Sequence, residues 1–304
     1  MSSYEDANWP RASAWLRGEI TRAAASSLGV IGVPMNVSIT PGSCQLAPAA
    51  IRAALERFSL FDAETGTDLS SIAATDHGDL AVNDATGRRF ADCVAELQEA
   101  FAGETAGVLL GGDNSVTRLG VHALEMPLAR CGLLTFDAHH DLRDLDRGLT
   151  NANPVRALLQ DGLPGGNIVQ VGLQPFTNSP AYAQVARDAG IAVVSAEAVH
   201  LRGIDLVVST ALAALASRTD AIYVNLDVDV LDQAFAPACA GARPGGLQPW
   251  MLRRAARLCG KHSAVRLLDI VEVDPANDVR EMTSFAAASF LLAFASGVAS
   301  RSKR

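Results

Sequence analysis

The feature that most constrains this chain is an apolar, strand-like run, residues 132–136, that ends in a cluster of acids and histidines. Strand side chains alternate between two faces, so Asp137, His139 and Asp141 share one face if the extended conformation continues past the run. His140 then points away, into the core or a supporting contact. Carboxylates and imidazole are common ligands of divalent metals. The stretch therefore predicts three metal ligands that converge on one point.

A second apolar run, residues 221–224, repeats this arrangement later in the chain. It leads into Asp227 and Asp229, which are two residues apart and therefore lie on one face of an extended chain. The first cluster alone is also compatible with a solvated loop. Two runs that end in the same way favour one carboxylate-rich centre supplied by two strands.

Two more apolar runs end in polar side chains. Residues 107–110 lead into Asp113 and Asn114, and residues 265–270 lead into Glu272. Parallel strands of an open sheet present their carboxyl ends at one edge, which is where such folds bind ligands. The four runs therefore predict an α/β fold of three layers, α/β/α, with a central, mostly parallel sheet and a metal site at its carboxyl edge.

Helix patterns between the strands support this architecture. Pro48 opens a helix whose Ile51, Leu55 and Phe58 share one face, and a second amphipathic helix follows at residues 90–101. With no repeat and no low-complexity linker, we expect a single catalytic domain over residues 1–304. Residues 1–26 form a lead-in with a helix at 11–25, and residues 299–304 form a tail.

Composition and charge exclude several classes of protein. The net charge is -8, and no Lys/Arg-rich block precedes the tail, so the chain lacks the basic surface that usually binds nucleic acid.

Residues 285–298 are strongly apolar but fall short of the ~20 residues that span a bilayer, which predicts a buried helix. The five scattered cysteines lack CxxC spacing, which suits reduced thiols, and no signal peptide is visible. We expect a cytoplasmic homo-oligomer that acts on a small molecule, with neither nucleic acid nor membrane as a partner.

The motifs GGDNS, FDAHHD, NLDVDVLD and DIVEVDP carry a resemblance to the ureohydrolase superfamily of arginases, agmatinases and formimidoylglutamases, over residues 29–295. These enzymes cleave amidine or guanidine groups with a dinuclear manganese centre. Residues 137–143, 229–237 and 240–246 are most similar to the formimidoylglutamase subfamily. The resemblance implies an arginase-like fold and hydrolysis of N-formimino-L-glutamate to L-glutamate and formamide, a step of histidine degradation, by a metal-bridged hydroxide.

The resemblance also implies the ligands of two divalent metal ions, expected to be Mn2+. These ligands are Asn114, Asp137, His139, Asp141, Asp227 and Asp229. Asp137 and Asp227 would bridge the two ions. Asn114 stands where the family usually has histidine, and an amide oxygen is a weaker donor than imidazole, so this position should bind its ion more loosely. The donor types favour manganese or magnesium over zinc or copper and leave nickel and iron open.

Further roles come with the resemblance. Glu272 would hydrogen-bond the cationic amidinium and orient it, and Asp141 would relay a proton to the leaving nitrogen. Asn151 stands on the substrate loop, at the position where arginases carry a proton-shuttling histidine.

The substrate's two carboxylates require cations on the outer wall of the pocket. Arg243, Arg156 and Arg143 are placed for this by motif. Arg243 is favoured because a loop rich in proline and glycine holds it, whereas Arg156 is as well explained as a surface arginine.

Two other interpretations stay open. The substrate could be a guanidino compound, such as agmatine, arginine or a guanidino acid, with urea as the product. Because Asn114 and Asn151 replace two histidines, the chain could also be a non-catalytic binding or regulatory member of the family. Against this stand six retained acids, Asp137, Asp141, Asp227, Asp229, Asp232 and Glu272.

Overall fold

A computed structural model of the protein describes residues 6, 8–20, 26–82 and 89–301. Its strands are β1 (Ser27–Val33), β2 (Phe61–Asp62), β3 (Thr67–Asp68), β4 (Ala73–Asp79), β5 (Ala106–Gly111), β6 (Cys131–Phe136), β7 (Ile168–Leu173), β8 (Ala192–Ser195), β9 (Ala221–Asp227) and β10 (Val265–Val271). Its α-helices are α1 (Ala12–Leu16), α2 (Ala47–Ala54), α3 (Phe90–Phe101), α4 (Val116–His122), α5 (Pro154–Asp161), α6 (Pro180–Ala189), α7 (Ala196–Arg202), α8 (Ile204–Ala216), α9 (Pro249–Lys261) and α10 (Met282–Ala299).

One sheet of eight strands forms the centre of the fold, in the order β4-β1-β5-β10-β9-β6-β7-β8. Its neighbouring strands pair in parallel, while β2 and β3 form a separate antiparallel pair. Strands β5, β6, β7 and β9 are buried along their whole length. Such continuous burial is typical of parallel strands covered by helices on both faces. The predicted parallel sheet is confirmed.

Helices pack on both faces of the sheet and create two hydrophobic cores. One core contains Ile51 of α2, Leu252 of α9 and Phe290 of α10. The other contains Leu97 of α3 and Leu119 of α4. A sheet between two helical layers is the predicted α/β/α architecture, which is therefore confirmed.

Helix α10 is the apolar segment that the sequence predicts to be buried. By length and composition it could cross a membrane, yet 67% of it is buried inside the fold. It packs closely against α9, since a Cβ on Gly260 would lie 2.2 Å from the Phe294 carbonyl oxygen, and one on Gly297 would lie 2.2 Å from that of Arg257. Helix α10 is therefore a core helix of this fold, as predicted. The five cysteines are also buried and free.

The two ends of the chain differ from the predicted pattern or lie partly outside the described residues. The predicted helix at 11–25 is wrong in length, because α1 ends at Leu16 and Gly18 takes a left-handed φ of 73°. Residues 21–25 of that prediction lie outside the described part. In the tail, the Arg301 guanidinium donates to backbone carbonyls of Thr105, Gly260 and Val265, and residues 302–304 lie outside the described part. The single-domain assignment over residues 1–304 stays a prediction.

The four strands with polar ends are neighbours at the centre of the sheet, in the order β5-β10-β9-β6. Their carboxyl ends therefore form one continuous edge. Strand β9 continues beyond the apolar run to Asp227, because Asn225 pairs with Asp269 and Leu226 with Ile270 across to β10. The fold thus brings the polar residues that follow four separate strands to one place.

Candidate metal centre

The first candidate ligands follow β6 directly. Ligand atoms of Asp137, His139 and Asp229 lie within 4.8 Å of one another. His139 Nδ1 is 2.7 Å from Asp229 Oδ2 and 3.5 Å from Asp137 Oδ1. Two carboxylates and an imidazole at these distances form a group that can hold a metal ion.

Asp227 and Asp229 are joined by a turn rather than by an extended chain. A 3₁₀ helix (Val228–Val230) follows β9, and Asp227 Oδ1 accepts the Asp229 N–H at 2.8 Å. Asp229 Oδ1 accepts the Ala138 N–H at 3.0 Å, which ties the end of β9 to the end of β6. Both carboxylates are buried and line one cavity. The turn therefore places them together, although the predicted strand alternation does not extend to Asp229.

Asp141 reaches the cluster by a route that the strand pattern does not predict. Strand β6 ends at Phe136, and Asp141 has a left-handed φ of 54°. The amide nitrogen of Asn114 is nevertheless 2.5 Å from Asp141 Oδ2 and 3.3 Å from Asp137 Oδ2. The predicted alternation through residue 141 is wrong, but the turn still brings Asp141 beside Asp137.

His140 lies in the core, as predicted. Its Nδ1 is 2.7 Å from Gln170 Oε1, and Gln170 Nε2 donates to the His140 carbonyl at 2.9 Å. The side chain is buried. His140 therefore supports the turn between Asp137 and Asp141 from behind.

Asn114 faces the carboxylates with its amide nitrogen, whereas the sequence predicts an oxygen ligand. Its Oδ1 accepts hydrogen bonds from Thr117 Oγ1 at 2.9 Å and from Asn225 Nδ2 at 2.8 Å. An amide N–H group is a donor and offers no lone pair to a metal. In this arrangement Asn114 donates to Asp137 and Asp141. That Asn114 is a metal ligand stays a prediction.

Glu272 is buried just after β10, with a left-handed φ of 67°. Its backbone N–H donates to the Gly112 carbonyl at 2.9 Å. Position 112 requires glycine, because a Cβ there would lie 1.7 Å from the Met35 carbonyl oxygen. Glu272 Oε1 accepts the Asn114 backbone N–H at 2.8 Å and Asn151 Nδ2 at 3.2 Å. Burial, with the charges of nearby carboxylates, raises the pKa of Glu272 to about 8.

Asn151 connects Glu272 to a wall loop, residues 36–43. The Asn151 side chain donates to Glu272 from Nδ2 and accepts the Ile39 N–H on Oδ1 at 3.0 Å. The same loop is held by the Asp113 carboxylate, which accepts the Val37 N–H. Asn151 therefore uses both ends of its amide to position its neighbours.

A cavity of about 250 Å³ opens above these carboxylates. Arg143 and Arg243 line it, and Arg243 Nη1 donates to the carbonyls of Ala240 and Ala242 at 2.9 and 2.8 Å. Arg156 does not line it, since the chain has turned into α5 by that point. The structure thus brings two of the three predicted arginines to the wall.

The cavity wall also contains residues that the sequence analysis missed. They are Thr177, Asn178 and Tyr182, which follow strand β7. Because β7 ends at the same edge as β6, the strand-end argument applied to residues 168–171 would have pointed to them. Asp232, in contrast, accepts the N–H groups of Ala234 and Gly245 at 2.9 and 2.7 Å, so it stabilises the loop of Arg243.

Burial and mutual repulsion set the electrostatics of the cluster. They raise the pKa of Asp137 to about 7 and also raise the pKa values of Asp141 and Asp227. Burial acts to lower the pKa of His139, but the charges of Asp229 and Asp137 and their hydrogen bonds with the ring together outweigh it and raise that pKa to about 12. At Asp229, burial acts to raise the pKa, but the His139 charge together with the hydrogen bonds from His139 and the Ala138 N–H outweighs it and lowers the pKa.

These residues fit a pair of hard divalent ions. In the part of the chain that the structure describes, the ion-pair partner of the cluster is His139, and no Arg or Lys pairs with its carboxylates. Buried carboxylates that repel one another are stabilised by added positive charge. Carboxylate oxygens with one imidazole nitrogen suit manganese or magnesium. The donor set therefore matches the metal that the resemblance implies.

Comparisons with known proteins agree on one family. A model of the arginase family matches residues 26–296. Formimidoylglutamase from Halalkalibacterium halodurans is 39% identical over 88% of this chain and 86% of its own length. The crystal structure of formimidoylglutamase from Bacillus subtilis aligns with a TM-score of 0.88 at 30% identity, over 99% of this chain and 95% of that chain. Formiminoglutamase from Trypanosoma cruzi, crystallised with Mn2+, shares the fold with a TM-score of 0.81 at 22% identity, over 97% of this chain and 100% of that chain.

Proposed function

The chain belongs to the arginase family, and from that premise we propose that it hydrolyses N-formimino-L-glutamate to L-glutamate and formamide with two divalent metal ions, expected to be Mn2+. The observation that carries the proposal is the buried cluster of carboxylates and one imidazole beneath a cavity lined by Arg143 and Arg243. It joins a metal-binding donor set to cations that suit a dicarboxylate substrate.

We propose that His139 and Asp229 hold one ion together with Asp137 and Asp227, and that Asp137, Asp141 and Asp227 hold the other. Asn114 would join the second set only after its amide turns and breaks its bonds to Thr117 and Asn225. When bound, such a pair of ions supplies an activated water for attack on an electrophilic carbon.

Glu272 orients the amidinium of the substrate. Its Oε1 already accepts from Asn114 and Asn151, whereas no described residue donates to Oε2, so Oε2 is available to a substrate N–H. A cationic amidinium favours the ionised carboxylate and offsets the burial that raises the pKa of Glu272. The contact holds the formimino carbon in a fixed direction relative to Asp141.

Asp141 moves the proton that the reaction requires. Water adds to the formimino carbon, and the bond from this carbon to the glutamate nitrogen breaks. One proton of the water passes through the Asp141 carboxylate to the departing nitrogen. The water oxygen becomes the carbonyl oxygen of formamide as it gives up its second proton, which the released amine takes up. The positive charge of the amidinium therefore leaves with the ammonium group of glutamate, and atoms and charges balance.

Two arginines bind the far end of the substrate. Arg243 is held in its loop by backbone carbonyls, and Arg143 follows Asp141 closely in the chain, so both guanidinium groups flank the cavity. A guanidinium matches a carboxylate with two parallel hydrogen bonds. The position of Arg156 gives no support to the prediction that it binds a carboxylate of the substrate.

Product analysis tests the proposal. The Mn2+-loaded protein should form formamide and glutamate in equal amounts from N-formimino-L-glutamate and no urea from agmatine, arginine or a guanidino acid. Asp229→Asn should remove activity, whereas Asp161→Asn, which alters a carboxylate bound to Arg118 and His122, should retain it. Urea as the main product would establish the guanidino alternative. A protein that binds Mn2+ and forms neither product would be a non-catalytic member.

We also propose that the protein is a cytoplasmic homo-oligomer without a nucleic acid or membrane partner. Buried, free cysteines support a reducing compartment, and a net charge of -8 argues against a nucleic acid partner. Light scattering of the purified protein measures its mass, and cell fractionation measures its location. A monomer, or protein recovered with the membranes, would contradict these statements.

A further inference from the structure

A fully buried carboxylate that the proposed reaction does not use lies beneath the metal centre. Asp269 is in β10, directly opposite Asn225 of β9. Its Oδ2 accepts a hydrogen bond from Tyr223 Oη at 2.8 Å, and its Oδ1 accepts one from Asn225 Nδ2 at 2.9 Å. Thr117 Oγ1 also lies 2.8 Å from Oδ2, and its single proton goes either to Asp269 or to Asn114. The Leu226 N–H donates to it at 3.2 Å. Asp269 is therefore an acceptor that faces three donors and a hydroxyl that it shares with Asn114.

An ionised carboxylate can only accept hydrogen bonds, so Asp269 determines which end of the Asn225 amide faces it. Asn225 directs Nδ2 to Asp269, and its Oδ1 is buried without a partner among the described residues. The amide keeps this orientation even though its oxygen is left unpaired. The orientation is therefore imposed by Asp269.

Asn225 passes this orientation on to Asn114. Its Nδ2 also donates to Asn114 Oδ1 at 2.8 Å, and Thr117 Oγ1 lies 2.9 Å from the same oxygen. A turned Asn114 amide would set its own N–H groups against those of Asn225, which is unfavourable. The Asn114 nitrogen is consequently directed to Asp137 and Asp141.

We propose that Asp269 is a positioning residue that, through Asn225 and Thr117, holds the Asn114 amide with its nitrogen toward Asp137 and Asp141. In this state Asn114 withholds its oxygen from the second ion and competes with that ion for both carboxylates. The second ion then binds more weakly than the first, and its occupancy follows the metal concentration. The inference rests on the metal centre proposed above.

The test is a titration of metal-free protein with Mn2+. Calorimetry measures the two dissociation constants, and the electron paramagnetic resonance signal distinguishes a single bound Mn2+ from a magnetically coupled pair. Asp269→Asn offers a donor where the carboxylate only accepts, so the amides of Asn225 and Asn114 can turn together. Removing one orienting hydrogen bond is worth roughly 1 kcal/mol, or about fivefold, so the second dissociation constant should fall by about that factor. The first constant should stay unchanged.

Two hydroxyl deletions form a matched pair that does not depend on the folding of Asp269→Asn. Thr117→Val and Tyr223→Phe each remove a hydroxyl 2.8 Å from the same oxygen of Asp269, but only the Thr117 hydroxyl also reaches Asn114. Thr117→Val should tighten the second site, and Tyr223→Phe should leave it unchanged. Equal effects of the two variants would overturn the proposal.

A double-mutant cycle tests whether the effect passes through Asn114. In an Asn114→Ala background the amide is absent, so Asp269→Asn should no longer change the second dissociation constant. The same tightening in both backgrounds, or no tightening in either, would refute the positioning role while the first site still binds. Failure of the unaltered protein to bind any Mn2+ would instead overturn the metal centre, and this inference with it.

Discussion

Removal of the metal should reverse the usual pH dependence of protein stability. Burial raises the pKa of Asp137 from its ordinary 3.8 to about 7, so the folded, metal-free protein holds this proton more tightly than the unfolded chain does. Glu272 shifts in the same direction, from 4.5 to about 8. A raised carboxyl pKa contributes stability that is complete below the unfolded pKa and is lost as pH rises through the folded pKa. The metal-free protein should therefore lose stability between about pH 4 and about pH 8.

The magnitude follows from the shift at Asp137. A change from 3.8 to about 7 corresponds to on the order of 4 kcal/mol, at about 1.4 kcal/mol for each tenfold change in proton affinity. The carboxylates of the cluster interact, so their contributions are not summed. Bound Mn2+ favours the ionised carboxylates, and a ligand at about 100 times its dissociation constant adds roughly 2.7 kcal/mol. The gain in stability from Mn2+ should therefore be larger at pH 8 than at pH 5.

Urea unfolding of metal-free and Mn2+-saturated protein, followed across this pH range, measures both effects. Asp137→Asn removes the titrating carboxyl, so its metal-free form should depend less on pH than the unaltered protein does. Asp161→Asn, whose carboxylate is bound by Arg118 and His122, should keep the unaltered dependence. A metal-free protein whose unfolding free energy increases from pH 5 to pH 8 would refute the electrostatic account of the cluster.

Three further substitutions test the cavity and the core. Arg243→Ala should raise KM for the dicarboxylate substrate about ten- to a hundredfold with little change in kcat, because a charge-assisted bond is worth roughly 1.5–3 kcal/mol, while Arg156→Ala should have no effect. Equal KM values for the two variants would mean that other residues bind the substrate carboxylates. Glu272→Gln should lower kcat/KM by a similar factor, since it removes the charge that faces the amidinium. Steady-state kinetics measure this, and an unchanged kcat/KM would exclude a contact between Glu272 and the amidinium. Gly297→Ala should lower the unfolding free energy by about 1–3 kcal/mol in urea titration, because its Cβ would lie 2.2 Å from the Arg257 carbonyl oxygen, and unchanged stability would mean that α9 and α10 separate easily.

Much of the fold could be predicted from local sequence pattern. Buried parallel strands appear as continuous apolar runs, and four of these runs end in polar residues that a parallel sheet must bring to one edge. In the structure these four strands are the neighbours β5, β10, β9 and β6, so their ends meet at one edge as predicted. Strand alternation also predicted that His140 points away from the ligands and into the core, where the structure places it.

The geometry of the site depended on contacts that no local pattern contains. Asp141 turns toward Asp137 through a left-handed backbone, not through strand alternation, and Arg156 does not line the cavity. The orientation of the Asn114 amide is set by Asn225, which is 111 residues away in the chain.

There is a physical reason why the sequence predicts some of these features and only the tertiary structure determines the others. Burial, strand direction and the residue types at strand ends repeat with short periods, so the sequence itself determined the architecture, the edge that carries the site and the chemical nature of its ligands. A turn of the backbone, the direction of an amide and the reach of an arginine depend on which distant donors and acceptors must be satisfied inside the fold. Only the tertiary structure, which brings those donors and acceptors together, decided that Asn114 presents nitrogen rather than oxygen to Asp137 and Asp141.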